Sequence, residues 1–172
     1  MKKSRRIVYI GLLVSQALVL HIFENMIPVP FITPGAKLGL ANLVTVLALY
    51  TLNKKETFLV LFLRLTLGSI FGGSLSAFMY SAAGGILSFL AMITIKEGLR
   101  DKVSIIGVSA AGAVFHNIGQ ILIAAAIVHN IGVTLYLPVL SVVGIVTGIF
   151  IGITSNFLIE HLKKVPHFRE SK

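Results

Sequence analysis

Six apolar runs follow one another along this chain, and the charged residues fall almost entirely in the short connections between them. Crossing a bilayer as a helix takes about 20 apolar residues, or somewhat fewer where protein flanks the helix. That length rule predicts helices over about Ile7–Ile27, Ala36–Leu52, Thr57–Phe71, Ser76–Ile95, Ser104–Val128 and Leu137–Ile159. A soluble domain is roughly a quarter charged, whereas this chain is 12% charged and 56% hydrophobic, with a mean hydropathy of +0.94. The expected fold class is therefore all-α integral membrane, a single six-helix transmembrane domain occupying residues 1–172. A net charge of +9 would suit nucleic acid only on a soluble scaffold with a basic face, so no nucleic-acid partner is expected.

The basic residues report orientation instead. The N-terminal segment, the turn Asn53-Lys54-Lys55-Glu56, the loop Lys96–Lys102 and the C-terminal tail hold thirteen of the fifteen Lys and Arg. Such residues stay on the cytoplasmic side, and six helices with both termini cytoplasmic put all thirteen there. The basic start and first apolar run also resemble a secretory signal. No small-x-small cleavage pattern precedes Pro28, which favours a first transmembrane helix. Pro28, Pro30 and Pro34 predict a stiff external loop over residues 27–35, and Pro138 suits the first turn of the sixth helix. With no cysteine in the chain, disulfides and cysteine-based metal sites are excluded.

Arg64 breaks the apolar pattern of the third run. An arginine at the centre of a helix in hydrocarbon costs roughly 2.5 kcal/mol or more, so it faces a bundle interior where something anionic can meet it. His21, Glu24 and Asn25 share one face near the outer end of the first helix. They read either as a helix end reaching the headgroups or as a pocket rim, with Glu24 the counter-charge to Arg64 or Lys37. Lys37 leads into the second helix, whose N-terminus would favour an anion; alternatively Lys37 snorkels to the outer surface. In the fifth helix His116, Asn117 and Gln120 must find partners, either as interhelical glue or as a ligand-binding stripe facing Arg64. No second close His or carboxylate has metal-ligand spacing, so neither metal nor cofactor is expected. Gly144, Gly148 and Gly152 make a flat stripe for close packing, and Gly11 with Ser15 makes a weaker patch suited to docking a partner.

Four motifs in order, Pro34–Tyr50, Arg64 with Leu67–Gly73, Ser81–Gly85 and Gly112–Gln120, make the chain resemble the Gx transporter family. Its older label is heptaprenyl diphosphate synthase component I. The resemblance runs from about Ile7 to Leu158. That family is similar to the substrate-binding S-components of energy-coupling factor transporters, six-helix proteins that work with a membrane coupling protein and two ATPase subunits. It implies capture of a small molecule outside the cell membrane, with Lys37, Asn42, Arg64, His116, Asn117 and Gln120 as substrate-binding candidates. S-components often carry an alanine-x-x-x-alanine docking patch on the first helix; only Gly11 and Ser15 approximate it here.

Three functions compete. The first is an S-component-like binding subunit for an amphiphile with an anionic or polar head, such as an isoprenoid or quinone precursor. The second is a non-catalytic membrane subunit of a heptaprenyl or polyprenyl diphosphate synthase. The third is an assembly protein in a redox or quinone pathway. Ionising an allylic diphosphate takes Mg²⁺ held by clustered carboxylates, and the one aspartate, Asp101, sits in an expected cytoplasmic loop. The chain is therefore not expected to be the catalytic part of a synthase. It has no Gly-x-x-x-x-Gly-Lys-Ser/Thr loop, so ATP use belongs to partners.

Overall fold

The computed structural model describes residues 3–26, 39–72 and 75–164. Within them the chain forms six α-helices: α1 (Lys3–Met26), α2 (Asn42–Thr51), α3 (Lys54–Gly72), α4 (Leu75–Leu99), α5 (Ile105–Val128) and α6 (Leu137–Lys164). Short 3₁₀ turns at Arg100–Lys102 and Ile131–Tyr136 lead into α5 and α6. Helices α1, α4, α5 and α6 lie in stretches long and apolar enough to cross a membrane. Helix α3 has the length, but it carries Lys54, Lys55, Glu56 and Arg64 over its 19 residues. Helix α2 has ten residues, about 15 Å at 1.5 Å per residue, which is half a bilayer crossing.

The second helix departs most from expectation. Its predicted start at Ala36, like the proline loop and Lys37, lies outside the described residues, and Gly39–Ala41 form a turn instead of helix. Gly39 has φ +82°, a left-handed conformation that glycine adopts without a Cβ penalty and that no regular α-helix contains. Helix formation then begins at Asn42, whose N–H donates to the Gly39 carbonyl at 2.8 Å.

The connection to α3 is shorter than expected, because Asn53 caps that helix early. The Asn53 side chain accepts from the Glu56 N–H at 2.9 Å, and the Asn53 N–H donates back to the Glu56 carboxylate at 3.3 Å, a reciprocal box at a helix start. Lys54, Lys55 and Glu56, expected as a turn, thus form the first helical turn. Similarly, α4 and α6 run beyond Ile95 and Ile159 to Leu99 and Lys164.

The shortest helix holds the centre. Helix α2 touches each of the other five, and seven of its ten residues are buried. Val44, Leu47 and Ala48 pack with Leu13, Val14 and Ala17 of α1, Val60 of α3 and Ile159 of α6. On its other side Val46 and Leu49 pack with Met92, Val108 and Ile151 of α4, α5 and α6. Meanwhile Val8, Phe23, Phe62, Leu122, Val142, Phe150 and Phe157 point outward, and Glu24, Asn42, Arg64, His116 and Gln120 point inward. A water-soluble domain partitions the other way, with charged groups almost never fully buried. Such a large apolar exterior marks a membrane or protein contact surface.

Candidate functional site

The buried polar groups gather where α2 begins. Arg64, near the middle of α3, is 4% exposed, and its Nη2 donates to Asn42 Oδ1 at 3.4 Å. Asn42 in turn donates from Nδ2 to the Ser88 hydroxyl of α4, also at 3.4 Å. Both hydrogen bonds are long and therefore weak. Arg64 Nε has no hydrogen-bond partner among the described residues. A guanidinium carries five N–H donors, so this one brings more donor capacity than Asn42 absorbs.

Glu24, near the end of α1 and 4% exposed, turns inward. One carboxylate oxygen accepts from the backbone N–H of Gly39 and from that of Leu40, the latter at 3.2 Å. These amides lie immediately before the N-cap Ala41, which itself makes no side-chain cap bond. At the other end of α2, Lys96 of α4 donates from Nζ to the Leu49 carbonyl at 2.6 Å and lies 4.3 Å from the centroid of the Tyr50 ring. A carboxylate at the positive end and an ammonium at the negative end both complement the dipole of α2. Neighbouring helices thus supply the two charged caps that this buried half-helix lacks. The Glu24 charge also acts on Arg64, so an anion, two backbone amides and a guanidinium share one buried region.

Two glycines of α4 let the flanking side chains in. A Cβ at Gly85 would lie 3.2 Å from Arg64 Nη2, and a Cβ at Gly84 would lie 2.9 Å from the His116 ring of α5. His116 also borders the α2 turn, 3.4 Å from where a Gly39 Cβ would stand. Gln120 Nε2 lies 3.0 Å from His116 Nε2.

Glu24, Asn42, Arg64, His116 and Gln120 are therefore brought together around the start of α2. Asn117 goes elsewhere: its amide donates to the Leu140 carbonyl in the first turn of α6 at 2.6 Å, an interhelical bond of the kind weighed as glue. Gly11 and Ser15 lie on the exposed face of α1; a Cβ on Gly11 meets no heavy atom within 4 Å, and the Ser15 hydroxyl donates to the Gly11 carbonyl. Of the other two α1 residues, His21 packs against Gly68 of α3, and the Asn25 side chain is outside what is described. Ser88 was not singled out from sequence, although Gly84, Ser88 and Met92 recur at the four-residue spacing that puts them on one helix face.

A separate open cleft of about 730 Å³ lies at the basic end, lined by Tyr50, Lys96, Arg100, Asp101 and Asn156 among others. Of its lining residues, Lys96 is engaged in capping α2 and Glu97 pairs with Lys54 at the surface. The polar convergence is at Arg64; a cavity of about 10 Å³ lies beside its neighbour Leu65, lined also by His21, Gly68 and Ser81.

No curated protein and no solved structure matches the chain. A family model does, over residues 13–158, which include every residue of the Arg64 region. The chain belongs to the heptaprenyl diphosphate synthase component I family.

Proposed function

We propose that the chain is the substrate-binding membrane subunit of an energy-coupling factor type uptake transporter, taking a small amphiphile with an anionic head. An isoprenoid or quinone precursor has that chemistry. The observation that carries this reading is Arg64, buried in the bundle beside the N-terminus of a half-helix, with Nε unpartnered among the described residues. In membrane transporters, half-helix N-termini at the bundle centre serve anionic substrate groups, and an intramembrane charge is functional by default. His116, Gln120 and Asn42 would line the site and Lys37 would stand at its mouth. A coupling membrane protein and two ATPases would supply the energy.

In the same reading all six helices lie in the membrane with both termini cytoplasmic. Cysteines placed singly at Asn53 and Ser104 should then resist an impermeant maleimide added to intact cells, and labelling from outside sinks the orientation. For the site, the expected result is a ligand that copurifies with the wild type and is detected by mass spectrometry. Arg64→Ala should lose it at least about a hundredfold, consistent with roughly 3 kcal/mol for truncating one partner of a buried charge contact. Arg64→Lys should also be damaging, because lysine lacks the planar fork that grips an oxyanion in two places. Unchanged affinity in a well-folded Arg64→Ala protein would make Arg64 a structural ion-pair member.

The family's name favours a second reading, an accessory subunit of a polyprenyl diphosphate synthase. The chain's chemistry does not support a catalytic share in it. Of its six acids only Glu24 sits within the apolar runs, and that carboxylate is held by the Gly39 and Leu40 amides. Recovery of an aspartate-rich soluble prenyltransferase on pulldown, with no ATPase, would favour this reading over transport.

A further inference from the structure

The Glu24 carboxylate is bound as an anion at the start of α2. It accepts from two consecutive backbone amides at the start of a ten-residue helix, and such charge-assisted bonds are about twice as strong as neutral ones. The second observation is Arg64, 4% exposed, which reaches the first residue of that same helix and leaves Nε without a hydrogen-bond partner among the described residues. The amides alone would be an ordinary helix cap. A guanidinium with an unpartnered Nε among the described residues, bonded to the first residue of the same helix, adds donor capacity that a cap does not need.

We propose that the Gly39–Leu40 amides and Arg64 form an oxyanion site that the chain fills with its own Glu24, and that a ligand's carboxylate or phosphate head competes with Glu24 for it. This inference rests on the Arg64 region being the substrate pocket. Glu24 lies two residues before Met26, where α1 ends, so displacing it removes the two bonds it makes from the end of α1 to the start of α2. Binding and release of the anion then become an exchange between two carboxylate-like groups, and the buried arginine keeps a counter-charge throughout. Leaving a buried charge without one costs several kcal/mol.

The test uses the full chain in detergent, with sodium acetate and sodium phosphate as probes and sodium chloride at matched ionic strength as control. Glu24→Ala empties the site, so acetate should raise its Tm in a saturable manner. Chloride should not, and Arg64→Ala in the same background should abolish the response. Glu24→Gln keeps the acceptor oxygen without its charge, and is the variant to use if Glu24→Ala folds poorly. Its half-saturating acetate concentration should be at least about tenfold below that of the wild type, since a neutral acceptor holds the amides less strongly. A phosphate response alongside acetate extends the ligand class to phosphates. Phosphatidic acid mixed into the micelles separates a lipid headgroup from a soluble ligand.

Equal responses to acetate and chloride would mean an adventitious ion only, and would overturn the proposal. So would equal acetate sensitivity in wild type and Glu24→Gln. If the wild type retains a copurifying ligand that Arg64→Ala loses, while no variant responds to acetate or phosphate, the pocket stands and the competition falls. An anion response with neither copurifying ligand nor ATPase module keeps the oxyanion site and removes the transport reading.

Discussion

The α4–α5–α6 side of the bundle and the side formed by α1, α2 and α3 are held together by different means. Between α5 and α6 the backbones nearly touch: a Cβ on Gly148 would stand 2.5 Å from Ala110 Cα, and one on Gly152 2.6 Å from Ile106 Cα. Between α4 and α5, a Cβ on Gly119 would stand 2.6 Å from the Ala83 carbonyl. Small residues let helices approach closely, and dispersion summed over that contact holds them where lipid gives no hydrophobic drive. On the other side α2 packs on α1 and α3 through larger apolar side chains such as Leu13, Leu47 and Val60. To these Glu24 and Arg64, the latter by way of Asn42, add polar contacts, and α1 leaves Gly11 facing open space. One side rests on close backbone approach. The other carries the polar contacts that, in the competition proposed above, an anion would exchange.

Substitutions can break that comparison, beginning with the largest expected effect. Gly148→Leu should yield no folded protein, and Gly148→Ala should cost about 1–3 kcal/mol, read from unfolding in detergent. A well-folded Gly148→Leu protein would mean that α5 and α6 do not rely on backbone approach. Asn117→Ala should cost about 1 kcal/mol, in the range measured for single interhelical hydrogen bonds in membranes, and should leave ligand affinity unchanged. A loss of affinity with no loss of stability would return Asn117 to the binding stripe. Smallest in stability are Gly11→Leu and Ser15→Leu, each expected within about 0.5 kcal/mol because the positions are exposed. Both should nevertheless abolish copurification with the coupling protein and its ATPases if this face of α1 is the docking face. Destabilisation on the scale of Gly148→Leu would erase the difference between the two sides.

The ends of most helices were close to legible because capping and apolar length are local. Ser104, for example, starts α5 by accepting from the Gly107 N–H. The start of α2 was not legible, because Gly-Leu-Ala reads equally well as helix or turn until the φ of Gly39 is known. The expected counter-charge role of Glu24 toward Arg64 agrees with its electrostatic influence there, while Lys37 lies outside the described residues. What the sequence did not suggest is that the backbone amides of Gly39 and Leu40 also hold Glu24. Backbone donors leave no mark in a list of side chains. His116 and Asn117 are neighbours in sequence but about 100° apart around a helix, so one faces the α2 turn and the other faces α6.

By itself the sequence determined that apolar side chains would cover several long helices, that a few polar groups would lie within them and that basic residues would cluster at one set of ends. Hydropathy and charge belong to each residue, and their order along the chain survives any arrangement of the helices. Only the tertiary structure decided that the shortest helix sits at the centre, capped from outside by Glu24 and Lys96, and that Arg64 meets Asn42 there. Those outcomes depend on one left-handed glycine and on how closely α3 and α5 can approach α4 at Gly85 and Gly84. Distances between segments far apart in the chain are set by packing, which no single run of residues encodes.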